Sequence, residues 1–119
     1  MAHDGQDVTM QPPVLLEDLL SLTKAAIPPV EAVLDTAKAR VKSTVSEGGR
    51  VSSRLVEEHQ TAAHGLAWLA TYAQSLRQMQ NWAEALDAEG RFGETEQLIH
   101  QIAFGEYLWQ IYGGIQMNQ

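Results

Sequence analysis

The stretch from Ser53 to Glu89 contains no proline and one interior glycine, Gly65. It is dense in alanine, leucine, glutamine, arginine and glutamate, all good helix formers. Leu55, Ala62, Leu66, Leu69, Ala73, Leu76, Met79, Ala83 and Leu86 recur at steps of mostly three and four residues. That spacing draws one apolar stripe down one helix. At about 1.5 Å per residue such a helix runs roughly 55 Å, longer than one domain of this mass requires. Every other element must therefore find its place along it.

The breaks on either side define those elements. Pro12 and Pro13 suit a helix start, where a missing N–H costs least. Leu15, Leu16, Leu19, Leu20 and Leu22 supply an apolar face, and Glu17 and Asp18 favour the first turn. Pro28 and Pro29 predict the end of this helix and the start of the next. Val30, Val33, Leu34, Ala37, Val41 and Val45 form the second stripe, and Gly48-Gly49 should stop it. Ser52 or Ser53 can cap the long helix. Gly90 should terminate it in a left-handed conformation, and Gly93 with Glu94 and Glu96 opens the last helix, which Gly113-Gly114 ends. Ile115 sits where a hydrophobic contact seals such an end.

The expectation is an all-α, four-helix antiparallel bundle-like domain over residues 14–119, organised around the long third helix. Its helices lie near 14–26, 29–47, 53–89 and 94–112, with no strand, behind a flexible tail over residues 1–13. Tight turns near residues 49 and 91 place Leu34 beside His64 and Glu106 beside Arg77. The first half of the long helix then has two covering helices and the second half only one. An apolar face left over in this way calls for another partner.

The totals restrict function more than they specify it. The 119 residues suit one core, and 45% hydrophobic with 19% charged residues suits a folded chain. A net charge of -7 argues against nucleic acid and against anionic membrane surfaces. Lys38, Arg40, Lys42, Arg50 and Arg54 are flanked by Glu47, Glu57 and Glu58, as on a solvated helix face. There is no cysteine, hence no disulfide or thiolate chemistry. The N-terminus does not read as a secretory signal, and no apolar run is long enough to span a membrane. We expect a cytoplasmic protein.

No catalytic, cofactor-binding or metal site is expected. His59 and His64 are about 140° apart around a helix and cannot share an ion from one face. Glu96 and His100 are one turn apart but lack further ligands, and no Glu-x-x-His pair occurs. Gly48-Gly49 follows a helix and lacks the glycine spacing of a phosphate loop. His64, Trp68 and Tyr72 line up at four-residue steps, as a core or interface edge does more often than a ligand wall. Glu106, inside the apolar segment from Ile102 to Tyr112, could serve as a general base of raised pKa. Its expected role is instead a buried ion pair with Arg77. The last helix is apolar in nearly every direction, so it should be buried all round, and Gly105 permits a close backbone crossing. This predicts a dimer or larger assembly, with an interface contributed by Met79, Trp82, Leu86, Phe104, Leu108, Trp109 and Ile111.

A series of co-linear segments goes further. His64-Gly65-Leu66-Ala67-Trp68-Leu69-Ala70-Thr71-Tyr72 is followed by Leu76-Arg77-Gln78-Met79 and Gly90-Arg91-Phe92-Gly93-Glu94. Phe104-Gly105-Glu106-Tyr107-Leu108 and Gly113-Gly114-Ile115-Gln116-Met117-Asn118-Gln119 complete the set. Together, over about residues 55–119, they resemble the helical N-terminal extension that precedes the catalytic body in a bacterial subgroup of acyl-CoA dehydrogenase-like flavoproteins. The resemblance implies an accessory helical domain of an oxidoreductase whose FAD and catalytic carboxylate belong to the parent protein, beyond Gln119. It implies oligomerisation or docking to the catalytic body in place of chemistry, and Glu106 is not the family's base. The rival reading is a free-standing homodimeric helical interaction module; a small enzyme or metal-binding bundle is a third.

Overall fold

The computed structural model describes residues 15–114. Helix α1 spans Leu19–Thr44, α2 Ser53–Glu58, α3 Gln60–Ala88 and α4 Glu94–Gly113. Strands β1 (Ser46–Glu47) and β2 (Arg50–Val51) form a two-stranded antiparallel hairpin between α1 and α2. Among the described residues the regular structure is all helical apart from this ribbon, and the molecule is elongated, with extents of 74 × 35 × 18 Å. The expected tail over residues 1–13, and the seal by Ile115, lie outside the described residues.

The two expected N-terminal helices are one. Pro28 and Pro29 lie inside α1, and both are exposed. Each removes a backbone donor and crowds the carbonyl four residues back. Those carbonyls belong to Lys24 and Ala25, also exposed, where water can bind them. Ile27 and Val30 flank the pair, share a face, and are each only 1% exposed. Burying two such side chains stabilises by about 1.5–3 kcal/mol each. That offsets half or more of a cost of about 3 kcal/mol per interior proline relative to alanine. Helix α1 begins at Leu19, later than expected, after Asp18 in a left-handed conformation.

Tandem glycine does stop a helix, but by a different device. Gly48 (φ 60°) and Gly49 (φ 81°) form the two-residue loop of a hairpin in which Glu47 pairs with Arg50. Two successive positive φ angles are what such a loop needs to match strand twist. The absence of strands was therefore a wrong expectation. Val45 is buried and receives the backbone N–H of Ser52 at 2.8 Å, closing the ribbon onto the end of α1. Ser52 Oγ accepts the Leu55 N–H at 3.3 Å, the expected cap.

The long helix is jointed at His59, where φ -113° and ψ 39° depart from helical values, so α2 and α3 are separate. At the far end Gly90 (φ 71°) terminates α3 as expected. The Arg91 N–H bonds Leu86 O at 2.8 Å, and Gly90 itself caps Asp87 O at 3.0 Å. Helix α4 begins and ends within a residue of its expected bounds.

The register of the first hairpin differs from expectation. The ribbon and α2 take up residues 46–58, so α1 slides along α3. Glu31, not a residue farther from the turn near position 21, stands beside Arg77. The core is Ile27 and Val30 from α1, Ala73 and Leu76 from α3, and Phe104 from α4. Leu34 packs against this cluster and is not level with His64. Three helices thus meet over the second half of α3. In its first half, before Ala73, all described residues are at least partly exposed. The under-covered half is the first, the reverse of expectation.

Candidate functional site

Helix α4 has two apolar faces. His100 and Phe104 point into the core, with Tyr107, Leu108 and Ile111 half-buried beside them. The opposite side carries Ile99, Ile102, Trp109 and Tyr112, exposed by 54%, 68%, 75% and 62%. Steps of three and seven residues align Ile102 with Trp109 and set Ile99 and Tyr112 at the two edges of the same broad side, about 140° wide and turned away from the core. Gly105 and Glu106 lie midway along this side. No side chain or neighbouring element lies within 4 Å of where a Cβ on Gly105 would stand. Beside it, Ile99, Ile102, Ala103, Glu106 and Tyr107 line an open hollow of about 420 Å³. The mid-helix glycine is therefore a notch on an open face, not a contact inside this chain.

The expected interface residues separate into two groups. Phe104 is 2% exposed and belongs to the core of the chain itself, so it is unavailable to a partner. Met79, Leu108 and Ile111 pack against that core. Leu86 is half-buried. Trp82 remains 41% exposed, edge-on to Phe92 at 6.4 Å, and Trp109 is the most exposed large apolar side chain. Ile99, Ile102 and Tyr112 were missed, although their spacing with Trp109 was legible.

The expected Arg77–Glu106 ion pair does not form. Arg77 grips Glu31 through Nε at 3.2 Å and Nη2 at 2.7 Å. Both side chains are about 40% exposed. Glu106 is exposed and accepts only a long hydrogen bond, 3.3 Å, from Gln110 Nε2. The slide of α1 brings Glu31 to Arg77, while Glu106 faces away from α3. His64 is exposed, and Tyr72 stacks on Tyr107 with ring centroids 5.0 Å apart. Trp68 meets Tyr72 edge-on at 5.9 Å. This line joins α3 to α4, the core-edge reading.

A buried polar junction was not foreseen. Thr23, Gln80 and His100, one from each main helix, are 6%, 1% and 0% exposed. The Thr23 hydroxyl lies 2.6 Å from Gln80 Oε1 and 3.0 Å from His100 Nε2. Gln80 Nε2 donates to Leu20 O at 3.1 Å and to Glu84 Oε2 at 2.7 Å. With the hydroxyl donating to Gln80, His100 must donate from Nε2, which assigns the tautomer. Its Nδ1 then carries a lone pair with no partner among the described residues. Phe104 and Phe92 flank the ring at 4.6 and 5.8 Å. Burial lowers the His100 pKa from its ordinary value of 6.5, because the charged ring would lose its water. The sequence signal was a polar residue interrupting the apolar stripe once on each of three helices.

Among the described residues, no three His, Asp or Glu side chains converge to hold a metal ion. No described helix is long and apolar enough to cross a membrane. Chemically, the described residues offer a helical platform with an open apolar side on α4.

No family model matches the chain. The chain is 59% identical over 112 residues to (2S)-methylsuccinyl-CoA dehydrogenase of Cereibacter sphaeroides. The match takes in 94% of this chain, so it reaches well into the N-terminal half, where the motif resemblance carried little. It takes in only 20% of the relative, and the chain therefore spans about one fifth of that enzyme's length. The motifs between His64 and Gln119 implied a segment of an acyl-CoA dehydrogenase, and that is what nearly the whole chain resembles.

Proposed function

We propose that this chain is an accessory helical segment of an acyl-CoA dehydrogenase-like flavoenzyme, and that it docks on the catalytic body and supports its assembly. The observation that carries this reading is the identity to one fifth of a dehydrogenase. The site chemistry agrees with it. The candidate surface is an apolar helix face, and the buried titratable group, His100, is sealed among aromatic rings. In this reading FAD, acyl-CoA and the catalytic base belong to the remaining four fifths, the parent is a homo-oligomer, and it works in the cytoplasm. The FAD and acyl-CoA ligands carry phosphates, and a chain of net charge -7 is poorly suited to hold them unaided. Calorimetric titration of the purified chain with FAD and with a saturated acyl-CoA should show no binding at micromolar concentration. A dissociation constant below about 10 μM, roughly -7 kcal/mol, for either ligand would overturn the accessory reading.

The rival, a free-standing homodimeric module, draws on the same exposed strip of α4. The charge pattern of that strip separates the two.

A further inference from the structure

We infer that the strip Ile99–Ile102–Trp109–Tyr112 on α4 is the face that meets the catalytic body, and that the body presents an apolar surface with an arginine or lysine opposite Glu106. This rests on the reading of the chain as part of a larger flavoenzyme.

Three observations converge on that face. The four side chains are all more than half exposed, in a chain whose core has other apolar residues at its disposal. An apolar strip of this length on one helix marks an interaction site more often than a free surface. Gly105 opens a notch at its centre, which lets another backbone approach closely. Four fifths of the matched relative lies outside the aligned segment, so a large covalently linked surface is the natural occupant.

Charge decides between that surface and a second copy. Glu106 sits at the middle of the strip, one turn from Ile102 and from Trp109. Helix α4 contains Glu94, Glu96 and Glu106 and not one lysine or arginine. A symmetric pair of α4 helices packed through Ile102 and Trp109 would hold the two Glu106 carboxylates beside the same seam. Desolvating two like charges with no cation on either helix opposes such a pair. A partner with a basic group at that point gains from the same carboxylate. The geometry thus favours an asymmetric contact over a self-complementary one.

Two measurements test this. In the first, the free chain is sedimented at about 10 μM, an ordinary dimer-range concentration. Wild type should be monomeric, and Glu106→Leu should move it toward dimer by removing the opposing charges. A wild-type dimer that Trp109→Glu dissociates would assign the strip to a second copy and overturn the inference. In the second, this chain replaces the matched fifth of the Cereibacter sphaeroides enzyme, with benzoyl-phenylalanine in place of Trp109 or, separately, of Val33 on α1. Irradiation should join position 109 to peptides of the body, and Glu106→Arg should cut that yield several-fold. Glu106 is exposed, so the reversal leaves the fold of the chain intact, as its melting curve will show. Crosslinks from position 33 but not 109 would sink the assigned face while leaving the docking function standing. Crosslinks from neither position, with the graft folded, would sink both.

Discussion

Acidification should loosen the three-helix junction through one side chain. His100 is fully buried, donates from Nε2 to Thr23, and has an Nδ1 lone pair without a partner. Charging the ring adds an N–H at Nδ1 that faces no acceptor, next to Phe92 and Phe104. The nearest carboxylate on the network, Glu84, is reached only through Gln80. Its folded pKa is therefore lowered, with desolvation the cause. The unfolded chain binds this proton first as pH falls through 6.5, so stability is fully present above that value and declines below it until the folded pKa is reached. Each pH unit in that window removes up to about 1.4 kcal/mol. Urea denaturation should thus show lower stability at pH 5.5 than at pH 7.5, by at most about 1.4 kcal/mol for one proton, before carboxylates titrate appreciably. His100→Gln keeps a donor for Thr23. It should cost about 1–3 kcal/mol at pH 7.5 from imperfect replacement of ring packing and hydrogen bonding. It should also flatten the decline between the two pH values by one proton. An unchanged slope in His100→Gln, or a flat wild-type profile, would refute the assignment of this histidine as a buried neutral donor.

Two further outcomes follow from other parts of the molecule. Gly105→Ala should stabilise the free chain by up to about 1 kcal/mol in urea, since the position is exposed mid-helix with open space beside it. A destabilised variant would mean that the notch is occupied within this chain. Arg77 and Glu31 form a forked pair, but both are about 40% exposed. A double-mutant cycle through Arg77→Gln and Glu31→Gln should give a coupling of only about 0.2–1 kcal/mol, and less in high salt.

Periodicity made the helices legible because local spacing and local breaks agree along most of the chain. Gly90 acted where and how its backbone freedom predicts, Gly93 opens the last helix in an ordinary extended conformation, and of the two serines offered as caps Ser52 takes the role. The misread places are those where tertiary burial outweighs a local rule. Pro28-Pro29 is a breaker by propensity, yet Ile27 and Val30 are buried on a shared face that only a continuous helix provides. The turn at Gly48-Gly49 was placed correctly, but its hairpin form was not. A ribbon uses up residues without advancing a helix. The resulting slide of α1 amounts to about five residues at the Thr23–Gln80 contact and about ten at the longer-armed Glu31–Arg77 pair, roughly 8–15 Å of helix. The Leu34–His64 pairing, inferred from a tight turn near residue 49, inherited that error; Glu106 missed Arg77 for another reason, because it faces away from α3.

The same slide accounts for the polar junction and for the surface that remains open. With α1 drawn down along α3, Thr23 reaches the level of Gln80 and His100, and three isolated polar interruptions become one hydrogen-bonded set. Such a set fixes the register of the helices, since displacing any one of them by a turn would leave the other two polar groups buried without partners. Apolar contacts alone do not impose that penalty, because leucine, valine and alanine repeat along each stripe. Register in turn decides which side of α4 is spent on the core. His100 and Phe104 are committed inward, and the strip from Ile99 to Tyr112 is turned out with Glu106 at its centre. A helix apolar all round is thus half satisfied by its own chain. Its other half, which could be known only once the register was fixed, is left for a surface that supplies both apolar contact and a positive charge.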